Sequence, residues 1–324
     1  MPLDVCVVGE LNPDLILYGL PKELKPEQET LVRGLRLTLG SSSAIFAHNL
    51  AVLGTKVGMV AKVGDDVLGK TALDWLASSG TDVSQVAKSS DGVATGLSVI
   101  LTHPEHRFIL TYPGTMFELS FADLDLDYIF SARHLHLSSY FLHRALRPQI
   151  GELFRRAKAN GLSTSLDTND DPEGKWADDL LGVLPFVDIL FPNEREAKKI
   201  AGQENLEKAI HQLAKICPLV AVKLGAQGAL LQKGSSRWHR AGVRVEAKDS
   251  VGAGDSFDAG FIHRFLQGGS PEDCLAYADL AGAFSTTQEG GTEAFRDRDG
   301  VKAFFNRPPP SSEEDSPAQR STAS

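Results

Sequence analysis

The sequence predicts an α/β fold, in which helices cover both faces of a mostly parallel β-sheet and a small antiparallel β-sheet forms a lid. The first observation is that short apolar runs rich in β-branched residues alternate with segments of helical periodicity. That alternation is typical of parallel sheets covered by helices. The second observation is that two stretches, 15–39 and 93–112, read as strands and contain no good helix. These two stretches predict the lid.

The elements of the main sheet follow one another from residue 5. A buried strand over Val5–Val8 ends at Gly9, and a helix over 44–53 ends at Gly54. Ligands of such sheets bind beyond the carboxyl ends of the strands. The same reasoning predicts further strands over 56–63, 134–138, 162–166, 187–191 and 219–224, and further helices over 68–79 and 146–159.

One domain is expected over residues 1–307. Its lid would be formed by about 12–39 and 92–115, and the turn at 103–106 predicts a hairpin within the second stretch. We expect the lid to lie where ligands bind. The tail over 308–324 has no apolar periodicity, so it is expected to be disordered.

Composition excludes several classes of protein. The chain has 324 residues and a net charge of −9, from 33 Lys and Arg against 42 Asp and Glu. Broad binding to nucleic acid or to an anionic membrane needs a basic surface, so neither is expected. The cysteines, Cys6, Cys217 and Cys274, are too widely spaced for a disulfide framework or a zinc site. No apolar run reaches membrane-spanning length. We expect a cytoplasmic protein.

The sharpest motif is Asp249-Ser-Val-Gly-Ala-Gly-Asp255. It follows a strand-like run over 243–247 and opens a helix that ends at Gly268. Gly252 and Gly254 allow a sharp turn, and the free N–H groups of the helix start attract anions. A carboxylate beside an anion site suits a base that takes the proton from a hydroxyl attacking a phosphate. The alternative is that Asp255 only caps the helix.

A second motif matches the phosphate-binding loop G-x4-G-K-[ST] over 64–71, with Lys70 as its lysine. The carboxylates of Asp65 and Asp66 argue against it, because they would stand inside a loop that wraps phosphates. No strand ending in Asp clearly supplies the partner expected for magnesium. The alternative is an ordinary loop with Lys70 on the exposed side of the next helix.

Other polar residues follow predicted strands. Asn12 and Asp14 lie two residues apart, so both would point the same way and would suit recognition of neighbouring hydroxyls; an ordinary turn is the alternative. Asn193 and Glu196 lie one helical turn apart and would hold water on a magnesium ion; acids in a first helical turn are also common without a ligand.

Two further features have simple alternatives. A glycine turn follows a strand at Lys223-Leu-Gly225-Ala-Gln-Gly228, where a nucleotide would lie flat or where the chain simply makes a hairpin. His134 and His136 share one face of a strand, but no third metal ligand is evident. Structural histidines are therefore expected there.

Together these motifs resemble the PfkB/ribokinase family of carbohydrate kinases, from about residue 5 to 305 and in the family's order. The resemblance implies a ribokinase-like, Rossmann-type sheet with a lid. It places the catalytic base on Asp255 and the anion hole on the amides of Gly252, Ala253 and Gly254. It also identifies 64–69 as the family's G-D-D-x-x-G segment rather than a phosphate loop.

The resemblance assigns the other candidates as well. Asn12 and Asp14 match sugar-hydroxyl contacts, and the N-x-x-E element for Mg²⁺ falls on Asn193 and Glu196. The nucleotide pocket would be lined by Lys223, Gly225, Gly228, Gly252 and Gly254.

Two departures from the family pattern concern the substrate. The family's Gly-Gly pair is Gly40-Ser41 here, and Ile45 takes the place of the usual asparagine. Gly40 and Ser41 stay candidates for sugar contact. The segment over 167–171 is acidic and lacks the family's arginine. Acidic residues near a substrate site favour a neutral sugar or a nucleoside over an anionic substrate.

The sequence therefore predicts an ATP- and Mg²⁺-dependent kinase that phosphorylates a hydroxymethyl group of a neutral sugar. A nucleoside kinase of the same fold, a non-catalytic sugar or nucleotide sensor and an ATPase using Lys70 are the alternatives. Asp249 and Val251 are candidate ligands for a monovalent cation such as K⁺. The resemblance also makes a homodimer through the lid an expected partner arrangement, besides the small-molecule substrate.

Overall fold

The computed structural model describes residues 3–103, 106–176 and 179–306. The main sheet in this part of the chain has nine strands in the order β13-β12-β11-β10-β9-β8-β1-β4-β5. Neighbours from β11 to β5 pair in parallel, whereas β11–β12 and β12–β13 are antiparallel. The strands are β1 (Val5–Val8), β4 (Val57–Val63), β5 (Asp82–Lys88), β8 (His134–Ser138), β9 (Ser163–Asp167), β10 (Ile189–Leu190), β11 (Leu219–Lys223), β12 (Ala229–Lys233) and β13 (Ser236–Arg240).

Helices cover both faces of this sheet, as predicted. In β1 the side chains alternate between two cores: Val5 and Val7 pack with α1, α2, α8 and α9, while Cys6 and Val8 pack with α4–α7. A strand buried on both faces is apolar throughout, which is the pattern that predicted it. The helices are α1 (Ser42–Val52), α2 (Val67–Ser78), α3 (Leu126–Phe130), α4 (Arg147–Ala159), α5 (Leu180–Val183), α6 (Glu194–Ala201), α7 (Leu206–Leu213), α8 (Ala253–Leu266), α9 (Pro271–Ser285), α10 (Glu293–Arg296) and α11 (Arg298–Phe305).

A separate four-stranded sheet forms the lid, also as predicted. Its order is β3-β2-β6-β7, from β2 (Pro13–Tyr18), β3 (Gly34–Leu39), β6 (Leu97–Thr102) and β7 (Arg107–Tyr112). The two outer pairings are antiparallel, but the central β2–β6 pairing is parallel. The strands that precede β2 and β6 in the chain, β1 and β5, also run in the same direction, in the main sheet.

Some elements differ from the expectations. The strand-like run over 243–247 has no regular secondary structure. Its Val243 N–H donates to a side-chain oxygen, Asp279 Oδ2, at 3.0 Å and not to a neighbouring strand. Strand β5 was missed, because it is a half-exposed edge strand with many polar residues. The turn at Gly225–Gln227 joins the antiparallel strands β11 and β12, so the chain makes a hairpin here, as the alternative interpretation expected.

No helix within the described ranges is long and apolar enough to cross a membrane. The predicted disordered tail over 308–324 and the 104–105 tip of the predicted hairpin lie outside the described residues.

Candidate active site

The candidate site lies where parallel strands end. Asp14 follows β1 at the start of the lid, Asp167 closes β9, and Lys223 closes β11. Asp255 lies in the first turn of α8. Parallel strands present their carboxyl ends at one edge, so residues far apart in sequence meet there.

The start of α8 has the glycine turn that the sequence predicted. Gly252 precedes the helix with φ of 73°, and a Cβ on it would lie 2.5 Å from the Cα of Gly291. Only glycine fits that conformation and that space. The N–H groups of Gly254 and Asp255 have no acceptor within the helix, so they are free to bind an anion.

Asp255 is nearly buried, with 7% of its surface exposed. Burial raises the pKa of its carboxyl to about 7, and the nearby charge of Asp167 adds to this effect; Lys223 and a hydrogen bond with Ser42 oppose it. The position before the helix belongs to Gly252, so the interpretation of Asp255 as a simple helix cap is wrong. A carboxyl with a pKa near neutrality suits a general base.

A buried cluster of charges lies beneath the turn. Lys223 Nζ lies 2.7 Å from Asp167 Oδ2 and 3.3 Å from Asp258 Oδ2. A Cβ on Gly254 would be 3.4 Å from the same Nζ, so the ammonium lies directly under the glycine turn of α8. Burial raises the pKa of the Asp258 carboxyl. Burial lowers the pKa of Lys223, but the charges of the neighbouring carboxylates outweigh this effect and the pKa is raised. The sequence analysis missed the role of Asp258, because the pairing is visible only in three dimensions.

The candidate sugar contacts lie on the lid side. Asp14 is buried, and a Cβ on Gly40 would lie 2.1 Å from Asp14 Oδ1, so glycine is needed at 40. Burial and the charge of Asp255 raise the pKa of Asp14 to about 7. Asn12 is fully buried; its Nδ2 donates to the carbonyl of Pro13 at 3.0 Å, and its Oδ1 has no protein partner.

Asn193 and Glu196 form a capping box at the start of α6. Asn193 N donates to Glu196 Oε2 at 2.8 Å, and Asn193 Nδ2 donates to Oε1 at 2.6 Å. Burial and the charge of Asp167 raise the pKa of Glu196 to about 7. The carboxyl groups of Asp167, Asp258 and Glu196 surround the single ammonium of Lys223, so acidic groups outnumber basic ones here. Divalent cations prefer amide and carboxylate oxygens, so this arrangement fits a hydrated divalent cation.

The loop that holds Asp249 is fastened to the lid. Asp249 Oδ2 accepts hydrogen bonds from Tyr18 Oη and from the Gly290 N–H, each at 3.0 Å. Asp249 Oδ1 accepts from the N–H of Val251 at 3.0 Å. The candidate monovalent-cation ligands therefore lie at the junction between the lid and the glycine turn of α8.

Gly225 and Gly228 lie in the tight turn after Lys223. Both have positive φ, of 60° and 93°. A Cβ on Gly228 would lie 2.0 Å from the carbonyl oxygen of Arg240, so Gly228 allows the backbone of 240–242 to pack closely against the turn. The Lys223 side chain does not point toward this turn but inward to Asp167 and Asp258.

The loop over 64–69 is not arranged around a phosphate. Asp66 caps α2 by accepting from the Gly69 N–H at 2.8 Å, and it also accepts from the Thr95 N–H at 2.7 Å. The Gly64 N–H donates to Thr95 Oγ1 at 2.8 Å. The loop thus anchors the segment that leads into the lid, and Lys70 is exposed on α2.

Replacing Lys70 with Ala is expected to leave the KM for ATP within about twofold of the wild-type value, because the side chain lies outside the site. Steady-state kinetics with varied ATP check this. A loss of ATP binding would restore the phosphate-loop interpretation.

The histidines of β8 are structural, as expected. His134 bonds to Ser163 and Ser165, and His136 bonds to Ser165 and Ser138, each at 2.7–2.8 Å. No group of three or more potential metal-ligating His, Cys, Asp or Glu side chains occurs in the ranges that the structure describes.

Two buried residues that the sequence analysis did not single out also shape the site. Asn49 Nδ2 donates to Ser256 Oγ at 2.9 Å and to the Gly291 carbonyl at 3.0 Å, which ties α1 to α8. Glu10 accepts bonds from the start of α1. A helical spacing places Asn49 on the buried face, but nothing in the sequence marks its partners.

Comparison with known proteins agrees with this geometry. The model of the pfkB family of carbohydrate kinases matches residues 2–298. The chain is 31% identical to 2-dehydro-3-deoxygluconokinase of Bacillus subtilis, over 94% of this chain and 96% of the relative. It is 28% identical to ribokinase of Haemophilus influenzae, over 92% and 97%. A putative ribokinase II from E. coli, solved with ATP and Mg²⁺, has the same fold, with a TM-score of 0.82 and 24% identity over 94% of this chain and all of the other.

The fold and the site define a phosphotransferase whose acceptor is an alcohol group. The chain belongs to the pfkB family of carbohydrate kinases.

Proposed function

We propose that this protein uses ATP to phosphorylate a hydroxymethyl group of a neutral sugar. The observation that carries the proposal is the placement of Asp255 in the first turn of α8, beside free backbone N–H groups and under a glycine turn. A base and an anion hole within one helical turn match what in-line phosphoryl transfer requires.

In the proposed reaction the Asp255 carboxylate accepts the proton of the sugar hydroxyl. The hydroxyl oxygen forms a bond to the γ-phosphorus, while the bond from that phosphorus to the β,γ-bridging oxygen breaks and ADP leaves. The N–H groups of Gly252, Gly254 and Asp255 neutralise the charge that develops on the transferred group. The Ala253 N–H already donates to the carbonyl of Ser250 at 3.3 Å, so its predicted part in the anion hole requires that bond to open. Asn12 and Asp14 are proposed to aim the hydroxyl, and Gly40 and Ser41 to contact the sugar. Closure of the lid excludes water.

The proposed nucleotide site runs from Gly225 and Gly228 to the start of α8. Asn193 and Glu196 would hold Mg²⁺ through water, and the ion would supply charge neutralisation at the phosphates. The fold neighbour solved with ATP and Mg²⁺ supports this assignment. K⁺ near Asp249 and Val251 and a cytoplasmic location stay predictions.

The charge of the cleft supports a neutral acceptor. Glu10 and Asp14 follow β1, Asp167 ends β9, and all three are buried. Arg195, a cation beside the acidic segment after β9, is paired with Asp170. A carboxylate or phosphate on the acceptor would face these acids, and such like-charge contacts are costly.

A panel of acceptors tests this proposal. ADP release is measured with Mg-ATP and ribose, fructose, 2-keto-3-deoxygluconate, fructose 6-phosphate, adenosine, inosine and cytidine, each with and without K⁺. We expect the highest kcat/KM with one of the neutral sugars. Preference for an anionic sugar would contradict the charge argument, and turnover of nucleosides alone would make the protein a nucleoside kinase.

Activity is expected to fall as the pH drops through about 7. The reaction needs ionised Asp255, and the pKa of this carboxyl is raised to about 7, so protonation removes the base at lower pH. A profile of kcat/KM from pH 5.5 to 9 checks the prediction. A profile that is flat between pH 6 and 8 would contradict it.

We propose a second copy of this chain as the partner of the lid. The pairing registers place two rows of aliphatic and aromatic residues on one face, across all the lid strands. The opposite face carries Ile16 and Ile100, which pack against Val251. The rows are Leu35-Leu17-Leu101-Phe108 and Leu37-Leu15-Val99-Leu110. Phe108 and Leu110 are 50% and 59% exposed, on an edge strand whose outer backbone is unpaired.

Light scattering after size-exclusion chromatography tests the proposed dimer. We expect a dimer for the wild type and a monomer for Leu110→Glu. Val67→Glu is the control, because Val67 is 79% exposed on α2, outside the lid. A monomeric wild type at micromolar concentration would overturn the proposal.

A further inference from the structure

Glu10 is a buried carboxylate that the proposed reaction does not use. It follows β1 and is 3% exposed. Its Oε1 accepts hydrogen bonds from Ser139 Oγ at 2.8 Å and from the Ser43 N–H at 3.2 Å. Its Oε2 accepts a hydrogen bond from Ser43 Oγ at 2.7 Å and lies 3.2 Å from His143 Nε2. Its backbone carbonyl accepts from Ser41 Oγ at 2.6 Å. One side chain thus joins the ends of β1 and β8 to the start of α1.

Residues in an unfavourable backbone conformation cluster around Glu10. Ser41, Ser139 and Asn169 have φ values of 62°, 54° and 52°. Ser41 and Ser139 bond to Glu10 directly, and Asn169 Nδ2 donates to Ser139 Oγ at 3.2 Å. Positive φ at a residue other than glycine costs energy, so it persists only where surrounding contacts enforce it, and it is concentrated at functional sites.

The segment that Glu10 holds leads directly to the reacting groups. Gly40 packs against the carboxylate of Asp14, and the Ser42 side chain lies close enough to Asp255 to lower the pKa of its carboxyl. Ser41 and Ser43, on either side of Ser42, both bond to Glu10. A shift of this segment would move the base and the acceptor-binding carboxylate together.

Glu10 keeps its charge despite its burial. Burial alone would raise its pKa, but the hydrogen bond and the charge interaction with His143, together with the hydrogen bond from Ser43, lower it. A carboxylate accepts from all of its donors at once, whereas an amide at this position would present an N–H group to at least one of them.

We propose that Glu10 is a positioning residue for the acceptor site, which fixes the strained Ser41–Ser43 segment in the geometry that binds the acceptor hydroxyls. The inference rests on the proposed kinase reaction but not on the identity of the sugar. The Glu10 side chain holds this segment through Ser43, whereas the bond to Ser41 comes from the backbone carbonyl of residue 10 and stays in the variants tested below.

The test compares Glu10→Gln with Glu10→Ala, using the acceptor that the wild type turns over most efficiently. The KM for the acceptor is expected to rise about tenfold or more in Glu10→Gln and further in Glu10→Ala, since small misplacements in a site have large effects. The KM for ATP should stay within about twofold, because the turn at Gly252 does not bond to Glu10. Glu204→Gln is the control, because Glu204 is exposed on the surface.

Thermal unfolding and amide hydrogen exchange at Ser43 accompany the kinetics. We expect Glu10→Gln to fold and the Ser43 amide to exchange faster. Kinetic constants within twofold of the wild type would overturn the proposal, as would equal rises in both KM values, which indicate a general structural role. A wild type that prefers a nucleoside would refute the proposed sugar but leave this comparison intact.

Discussion

Replacing Asp255 with Asn is expected to lower kcat by about 10²- to 10⁴-fold, the range that general-base catalysis contributes. The side chain keeps its shape but can no longer accept the proton of the attacking hydroxyl. The backbone N–H groups at the start of α8 stay in place, so the KM for ATP should change little. Steady-state kinetics with the best acceptor and with varied ATP measure both effects.

The matched control for this variant is Asp74→Asn, since Asp74 is exposed on α2 and distant in sequence from the site. It should have wild-type kinetics. Near-normal turnover of Asp255→Asn would show that Asp255 is not the base. A lowered thermal midpoint in Asp255→Asn alone would not explain a rate loss measured well below that midpoint.

Replacing Lys223 with Met is expected to cost about 3–5 kcal/mol of stability, because removing one partner of a buried ion pair leaves the others uncompensated. Asp167 and Asp258 are each 1% exposed at the side chain, and both bond to Lys223 Nζ. Chemical denaturation at neutral pH measures the loss. Lys208→Met, at an exposed position on α7, is the control and should change stability by less than about 0.5 kcal/mol.

A double variant separates charge from packing. Lys223→Met combined with Asp258→Asn removes an ammonium and a carboxylate together, so part of the lost stability should return. If Lys223→Met lowers the stability by less than about 1 kcal/mol, the carboxylates of Asp167 and Asp258 do not depend on the lysine for compensation. If the variant folds but releases no ADP, the position of Lys223 under the Gly254 turn accounts for the lost activity.

The sequence predicted those parts of the fold whose pattern is local. Val5–Val8 is apolar at every position because it is buried on both faces, and it was placed to the residue. The helix after Gly252 was predicted from its glycine turn and apolar spacing. Strand β5 has neither kind of pattern, since its edge position leaves half of it exposed. The run over 243–247 resembles a strand but has no neighbour to pair with.

The candidate site divides in the same way. Asp255 lies within its own motif, so it was predicted from a few neighbouring residues. The partners of Lys223 lie 56 and 35 residues away, and Ser139 lies 129 residues from Glu10. Such pairs form only because parallel strands bring their carboxyl ends to one edge, and a single sequence does not specify which polar residues will meet there.

Phosphoryl transfer to the sugar is observed directly by ³¹P NMR of the protein with Mg-ATP and the best neutral sugar. We predict one sugar phosphomonoester on the hydroxymethyl carbon for each ADP, and no ADP without the sugar. Release of inorganic phosphate in place of the monoester, at the same rate with and without an acceptor, would show that the protein hydrolyses ATP and does not phosphorylate the sugar.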